Sequence, residues 1–167
     1  MPSPIARLTI DTCVINATGQ LEAMNQIERW HQAGHVEILG TYRLSLETSA
    51  HAARSAKASS YADIGEPFIV GVTPIGVGRV SDLPSDIVNS VAAVMFPGKR
   101  PENLKRNDIN DVAMLASHLH ANADIFVTIN TKDFVQNGRR EGLRALGVAV
   151  MTPDEAVAYL RPRIEGT

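Results

Sequence analysis

The stretch Arg7-Leu8-Thr9-Ile10-Asp11-Thr12 decides the fold class predicted for this 167-residue chain. It is typical of a short β-strand that ends at a carboxylate, and the segment after it, 20–32, has apolar residues at helical spacing. The same alternation continues along the chain. Strands are predicted at 36–42, 124–129 and 148–151, and helices at 44–59, 84–96 and 108–123, around 143–145, and after a capping box at Thr152-Pro153-Asp154-Glu155. Strands that alternate with helices pair in parallel through right-handed crossovers, so we expect an α/β fold with a central parallel sheet flanked by helices on both faces.

Composition and length predict a single domain over 1–167, since 44% of the residues are hydrophobic and 20% are charged. Segment 67–80, with three glycines and Pro74, is expected to be irregular or an edge strand. The only cysteine, Cys13, excludes an intrachain disulfide framework and a cysteine-based zinc ribbon, and it suits a reducing cytoplasmic compartment. Apolar runs such as 68–72 are too short to span a bilayer, so no membrane partner is expected.

Carboxylates follow two of the predicted strands. Asp11 ends the first strand. Asp133 comes shortly after the strand 124–129, and Asn130 lies between that strand and Asp133. In open parallel sheets the functional site lies beyond the carboxyl ends of the strands, so both carboxylates are candidate site residues. Two other interpretations stay open: Asp11 as the cap of the next turn, and Asp133 as an ordinary polar loop residue.

Three further acidic residues lie in predicted helices. Glu47 is flanked by small and apolar residues in the helix after the second strand, although most helical glutamates are simply solvated. Asp108 and Asp111 begin the helix 108–123, where both favour the positive end of the helix dipole. If Asp108 is the cap, Asp111 lies one turn further in and can join a cluster at the sheet edge. Carboxylates that converge on one site need a cation, and Mg²⁺ or Mn²⁺ prefers such oxygen ligands.

In this order the motifs resemble those of the PIN domains, the metal-dependent ribonuclease family that includes the VapC toxins. Segment 8–15 is similar to the first motif, an apolar strand that ends in Asp-Thr, although the family usually has Asn or Ser where Cys13 stands. Glu47 matches the family's helical glutamate. Asp111 opens a helix that leads 17 residues later to Thr128, as in the third motif, and 127–134 resembles the fourth. Segment 151–155 is similar to the last strand-to-helix turn, so the resemblance spans about 8–160 and is weak at 58–104.

The resemblance implies a Mg²⁺- or Mn²⁺-dependent ribonuclease. It implies four acidic residues around the metal, Asp11, Glu47, Asp111 and Asp133, with Asn130 as a second candidate for the fourth ligand position. We further predict that Thr128 and Asn130 orient ligands by hydrogen bonding. The resemblance also implies RNA as substrate and, if the chain is a toxin of a toxin–antitoxin pair, a small antitoxin as partner. A homodimer formed through an apolar helix stripe such as that of Leu21, Met24, Ile27 and Trp30 is an alternative to burying that stripe in the core.

The net charge of −2 hides a basic segment at 97–144, with eight basic and six acidic side chains. We hypothesise that its cations bracket the acidic site and bind RNA phosphates; a solvated face is the alternative. These cations are Lys99, Arg100, Lys105, Arg106, Lys132, Arg139, Arg140 and Arg144. Two other functions are weighed against the nuclease. One is a catalytically inactive PIN-like module that binds RNA or a protein, favoured by Cys13, and the other is a small-molecule hydrolase or transferase, disfavoured because no nucleophile elbow or phosphate loop is present.

Overall fold

The chain has an α/β fold in a computed structural model that describes residues 3–17, 19–67, 78–79, 85–100 and 103–166. The central sheet contains β1 (Ala6–Ile10), β2 (Val36–Gly40), β3 (Ala62–Asp63), β6 (Ile125–Val127) and β7 (Ala149–Met151), and a separate parallel pair contains β4 (Glu66–Pro67) and β5 (Gly78–Arg79). The described helices are α1 (Thr12–Asn16), α2 (Glu22–Gln32), α3 (Tyr42–Thr48), α4 (Ala52–Ala58), α5 (Ser85–Met95), α6 (Arg106–His120), α7 (Thr131–Phe134), α8 (Arg139–Ala145) and α9 (Pro153–Glu165). No described helix is long and apolar enough to cross a membrane.

All neighbouring strands of the central sheet are parallel, in the order β3-β2-β1-β6-β7. The first strand is central: Leu8 lies opposite Ile38 of β2 on one side and Ile125 of β6 on the other. The carboxyl ends of β1 and β6 therefore meet at one edge of the sheet, and the residues that follow them, Asp11 and Thr128, become neighbours. The α/β prediction with a central parallel sheet is confirmed.

Alternate side chains of the strands enter two separate cores, one on each face of the sheet. On one face the strands pack with α2 and α9, and the stripe of Met24, Ile27 and Trp30 is buried in this core. On the other face Phe126 and Val150 pack against α5, α6 and α8. Helices thus cover both faces, as predicted.

The predicted helix 44–59 is wrong in one respect, because the structure forms two helices, α3 and α4, separated at 49–51. Hydroxyl groups satisfy carbonyls at the end of α3: Thr48 Oγ1 donates to Leu44 O at 2.8 Å and Ser49 Oγ donates to Leu46 O at 2.7 Å. Serine and threonine compete in this way with the backbone amides that would continue a helix. The predicted strand 36–42 is also shorter, since Thr41 caps α3 by accepting a hydrogen bond from the Leu44 amide.

The start of α6 corrects a second expectation. The helix begins at Arg106 with Lys105 at the N-cap position, so Asp108 is not the cap but a residue of the first turn. Asp111 still lies one turn further in.

The capping box of α9 is confirmed, with Thr152 and Glu155 each bonded to the other's backbone amide. Of the predicted irregular segment, Pro67 and Gly78–Arg79 belong to the β4–β5 pair, and the rest lies outside the described residues.

Candidate active site

Asp11 lies at the carboxyl end of β1 and is only 6% exposed. Its backbone occupies the N-cap position of α1, but its side chain makes no capping hydrogen bond, so the capping interpretation does not account for its carboxylate. Instead, Asp11 Oδ2 accepts hydrogen bonds from Thr128 Oγ1 at 2.7 Å and from Cys13 Sγ at 2.8 Å. The pKa of Asp11 is raised overall. Burial is the largest cause and outweighs the hydrogen bonds from Cys13 and Thr128, which lower the pKa, and the charge of Glu47 raises it as well.

Thr128 is fully buried directly after β6. Its Oγ1 accepts from the Asn130 amide at 2.9 Å, which leaves its own proton for Asp11. Thr128 therefore orients one oxygen of Asp11, which is the kind of role predicted for it from the sequence.

Asn130 holds Asp133 at the same edge of the sheet. Asn130 is the N-cap of the short helix α7: its Oδ1 accepts from the Asp133 amide at 3.3 Å, and its Nδ2 donates to Asp133 Oδ2 at 2.8 Å. The guanidinium of Arg139 lies 4.0 Å from the other carboxylate oxygen. Asn130 is thus a positioning residue for Asp133 in this structure.

Asp111 lies in the second turn of α6, and its pKa is affected by the charges of the other carboxylates. Its pKa is raised to about 8, first by burial and then by the charges of Asp11, Asp133, Glu47 and Asp108, in that order. The charges of the other three acidic residues predicted for the site therefore all act on Asp111. Asp108, whose role the sequence left open, contributes to the same field while it pairs with Lys99 at 3.6 Å.

Asn110 is a site residue that the sequence analysis missed. Glu47 itself is exposed on α3, but Asn110 Nδ2 donates to Glu47 Oε1 at 2.7 Å, and Asn110 Oδ1 accepts from Arg43 Nη1 at 3.3 Å. Arg43 and Asn110 are 6% and 7% exposed. The bond joins α3 to α6 across 63 residues, so no local pattern could have revealed it. The only signal was an asparagine directly before Asp111.

Cys13 acts as a hydrogen-bond donor rather than as a nucleophile. The pKa of its thiol is raised to about 12. Burial is the largest cause, followed by the charge of Asp11 and the hydrogen bond to Asp11. Its Sγ also lies 3.6 Å from Thr128 Oγ1. The thiol takes the place where the PIN resemblance leads us to expect a small polar side chain, and it supplies the donor that such a side chain would supply.

The donor chemistry of the four carboxylates fits a hard divalent cation, because they offer only oxygen and their charges are concentrated around Asp111. Within 3–17, 19–67, 78–79, 85–100 and 103–166, however, no three acidic, histidine or cysteine side chains already form a metal-binding group.

Several predicted phosphate-binding cations are used within the protein. Arg140 makes two hydrogen bonds to Glu155, at 3.0 and 2.7 Å, and Arg139 donates to the carbonyl of Asp133 at 3.1 Å. Lys105, Arg106 and Lys132 are exposed on the elements that carry Asp111 and Asp133. These three are the best-placed members of the predicted patch.

Comparisons with known proteins add no family assignment, since no family model, curated protein or solved structure matches the chain.

Proposed function

We propose that this protein is a divalent-metal-dependent endoribonuclease, with Mg²⁺ or Mn²⁺ bound by Asp11, Glu47, Asp111 and Asp133. The observation that carries the proposal is the position of Asp111: a half-buried carboxylate whose pKa is raised to about 8 by burial and by the charges of Asp11, Asp133, Glu47 and Asp108. Such a concentration of negative charge is unfavourable in the isolated protein and becomes favourable when a cation binds.

Neighbouring polar groups hold three of the four proposed ligands in place. Thr128 and Cys13 fix one oxygen of Asp11, and Asn130 holds Asp133. Asn110 holds Glu47 toward α6. Mutation of residues that orient metal ligands in this way typically costs about 10- to 100-fold in metal affinity or activity.

A bound divalent metal would supply a nucleophile from water at neutral pH and stabilise the charge on the phosphate and on the leaving oxygen. The chain itself contributes the substrate contacts. Lys105, Arg106 and Lys132 are exposed on the elements that carry Asp111 and Asp133 and would offer positive charges to RNA phosphates.

The proposal is tested by measuring cleavage of a labelled single-stranded RNA together with calorimetric titration of Mn²⁺. We expect Mn²⁺ to bind at micromolar concentrations and cleavage to require it. Cleavage that persists unchanged in EDTA would refute a metal-dependent reaction. A DNA strand of the same sequence serves as the control for substrate class.

A second candidate is an inactive PIN-like module that binds RNA or a protein. Two observations favour it: the described residues contain no preformed metal-binding group, and Cys13 departs from the usual first motif. The same calorimetry separates the candidates, because an inactive module has no need to bind Mn²⁺ at micromolar concentrations.

A role as a toxin, with a small antitoxin as partner, is proposed from the resemblance to VapC proteins alone. The cytoplasmic location is proposed from the single cysteine. The homodimer is not proposed through the stripe of α2, since Met24, Ile27 and Trp30 are buried in the core of the monomer.

A further inference from the structure

A groove of about 550 Å³ lies beside β7, away from the acidic cluster. The strand forms its floor, and side chains of α8 and α9 form its walls. The lining residues are Arg140, Glu141 and Arg144 from α8, Ala149, Val150 and Met151 from β7, and Glu155 and Tyr159 from α9. Its volume is within the range of ligand-binding clefts.

The floor of the groove is the outer edge of the sheet. The strand β7 is the last in the order and, among the described residues, pairs only with β6. Met151 O accepts from the Thr128 amide at 3.0 Å and so faces β6. Since the N–H and C=O groups of successive residues in a parallel strand point alternately to the two sides, those of Val150 point away from β6 and into the groove.

The arginines of the groove have unused hydrogen-bonding capacity. Both Nη atoms of Arg140 are bound to Glu155, but its Nε is buried and has no acceptor among the described residues. Arg144 is exposed, and no described carboxylate lies within ion-pair distance of it. Glu141, on the same wall, is also exposed and lines the groove. A buried guanidinium N–H without an acceptor is unfavourable.

We propose that this groove binds an extended segment of a partner protein, which lies beside β7 as an added strand and places an aspartate or glutamate side chain against Arg140 and Arg144. The backbone groups of Val150 supply two hydrogen bonds to the segment, as in other complexes where a peptide extends a sheet. The concave shape favours a single extended chain over a second copy of this protein, whose own β7 lies equally deep between α8 and α9. This proposal does not depend on the nuclease function.

The test uses three acetylated and amidated pentapeptides: Thr-Val-Glu-Val-Thr, the same peptide with lysine at the centre, and the glutamate peptide with N-methyl groups on its two valines. Each is titrated to millimolar concentration into the ¹⁵N-labelled full chain and followed by NMR. We expect the glutamate peptide to shift the Val150 amide, to slow its hydrogen exchange, and to bind at least about tenfold more tightly than either of the other two.

Charge exchange provides the matched variants. Arg144→Glu should reverse the preference to the lysine peptide, whereas Arg161→Glu, on α9 but outside the groove, should leave it unchanged; dispersed spectra show that both variants fold. Equal binding of all three peptides, or no shift at Val150 with any of them, would overturn the proposal. It would also be overturned if, without peptide, the Val150 signal and the sedimentation coefficient both changed with protein concentration, since the groove would then belong to a second copy.

Discussion

Thr128 donates its hydroxyl proton to Asp11 Oδ2 across 2.7 Å, although 117 residues separate the two in the chain. The parallel pairing of β1 with β6 brings them together, and the amide of Asn130 fixes the direction of the bond. The proposed site therefore begins with a carboxylate whose orientation is set by the sheet itself.

Replacing this donor should weaken metal binding without unfolding the protein. In Thr128→Val the shape of the buried side chain is kept, but Asp11 loses a hydrogen bond that lowers its pKa. We expect the Mn²⁺ affinity to fall about 10- to 100-fold in calorimetry. Thr128→Ser retains the hydroxyl and should remain within a few-fold of the wild type; equal affinities for all three proteins would show that the bond has no role in the site.

Asn110 provides an independent prediction on α6. Asn110→Ala removes the donor that holds Glu47, and we expect a loss of about 10- to 100-fold in Mn²⁺ affinity and in cleavage rate. The matched control is Ser117→Ala on the same helix, whose hydroxyl donates to the Ala113 carbonyl at 2.9 Å. If both variants have the same Mn²⁺ affinity and cleavage rate, the role of Glu47 in the site does not depend on the hydrogen bond from Asn110.

Asp111 makes the stability of the metal-free protein depend on pH. Its pKa is raised from 3.8 to about 8 on folding, so the native state binds a proton that the unfolded state has already released between these values. The contribution of Asp111 to the free energy of unfolding is therefore complete below about pH 4 and is lost as the pH rises through about 8. Asp111→Asn should abolish this dependence, and urea unfolding in EDTA at pH 5 and pH 8.5 measures it. The assignment would be contradicted if the free energy of unfolding of the wild type, measured relative to that of Asp111→Asn, increased from pH 5 to pH 8.5.

Cys13 should react slowly in the folded protein because burial and the charge of Asp11 raise its thiol pKa to about 12. We expect a disulfide reagent to modify it far more slowly at pH 8 than in urea, since only the thiolate reacts. Cys13→Ser should retain the metal affinity because the hydroxyl still donates to Asp11, whereas Cys13→Ala should lower it. Rapid modification of the folded protein would mean that the thiol does not donate to Asp11.

Local sequence patterns predicted the fold well where they matched a single structural period. The strand at Leu8-Thr9-Ile10 and the helix stripe of Met24, Ile27 and Trp30 both formed as expected. The break between α3 and α4 was missed because it depends on the hydroxyls of Thr48 and Ser49 rather than on hydrophobic spacing.

The site could be predicted only in part for a similar reason. Strand ends indicated Asp11 and Asp133, and the order of motifs indicated Glu47 and Asp111. The roles of Asn110 and Cys13 were not predictable because they depend on contacts made by tertiary packing, such as that between Asn110 and Glu47.

The most direct test of the central claim compares single-turnover cleavage of a labelled single-stranded RNA in Mn²⁺ by the wild type, Asp11→Asn and Asp111→Asn. Each variant keeps the size of the side chain and removes one charge from the proposed metal site. We predict metal-dependent cleavage by the wild type and a loss of at least about 100-fold in each variant, which corresponds to about 2.7 kcal/mol of activation free energy. Cleavage undiminished in both variants would contradict the assignment of this site as a metal-dependent ribonuclease centre.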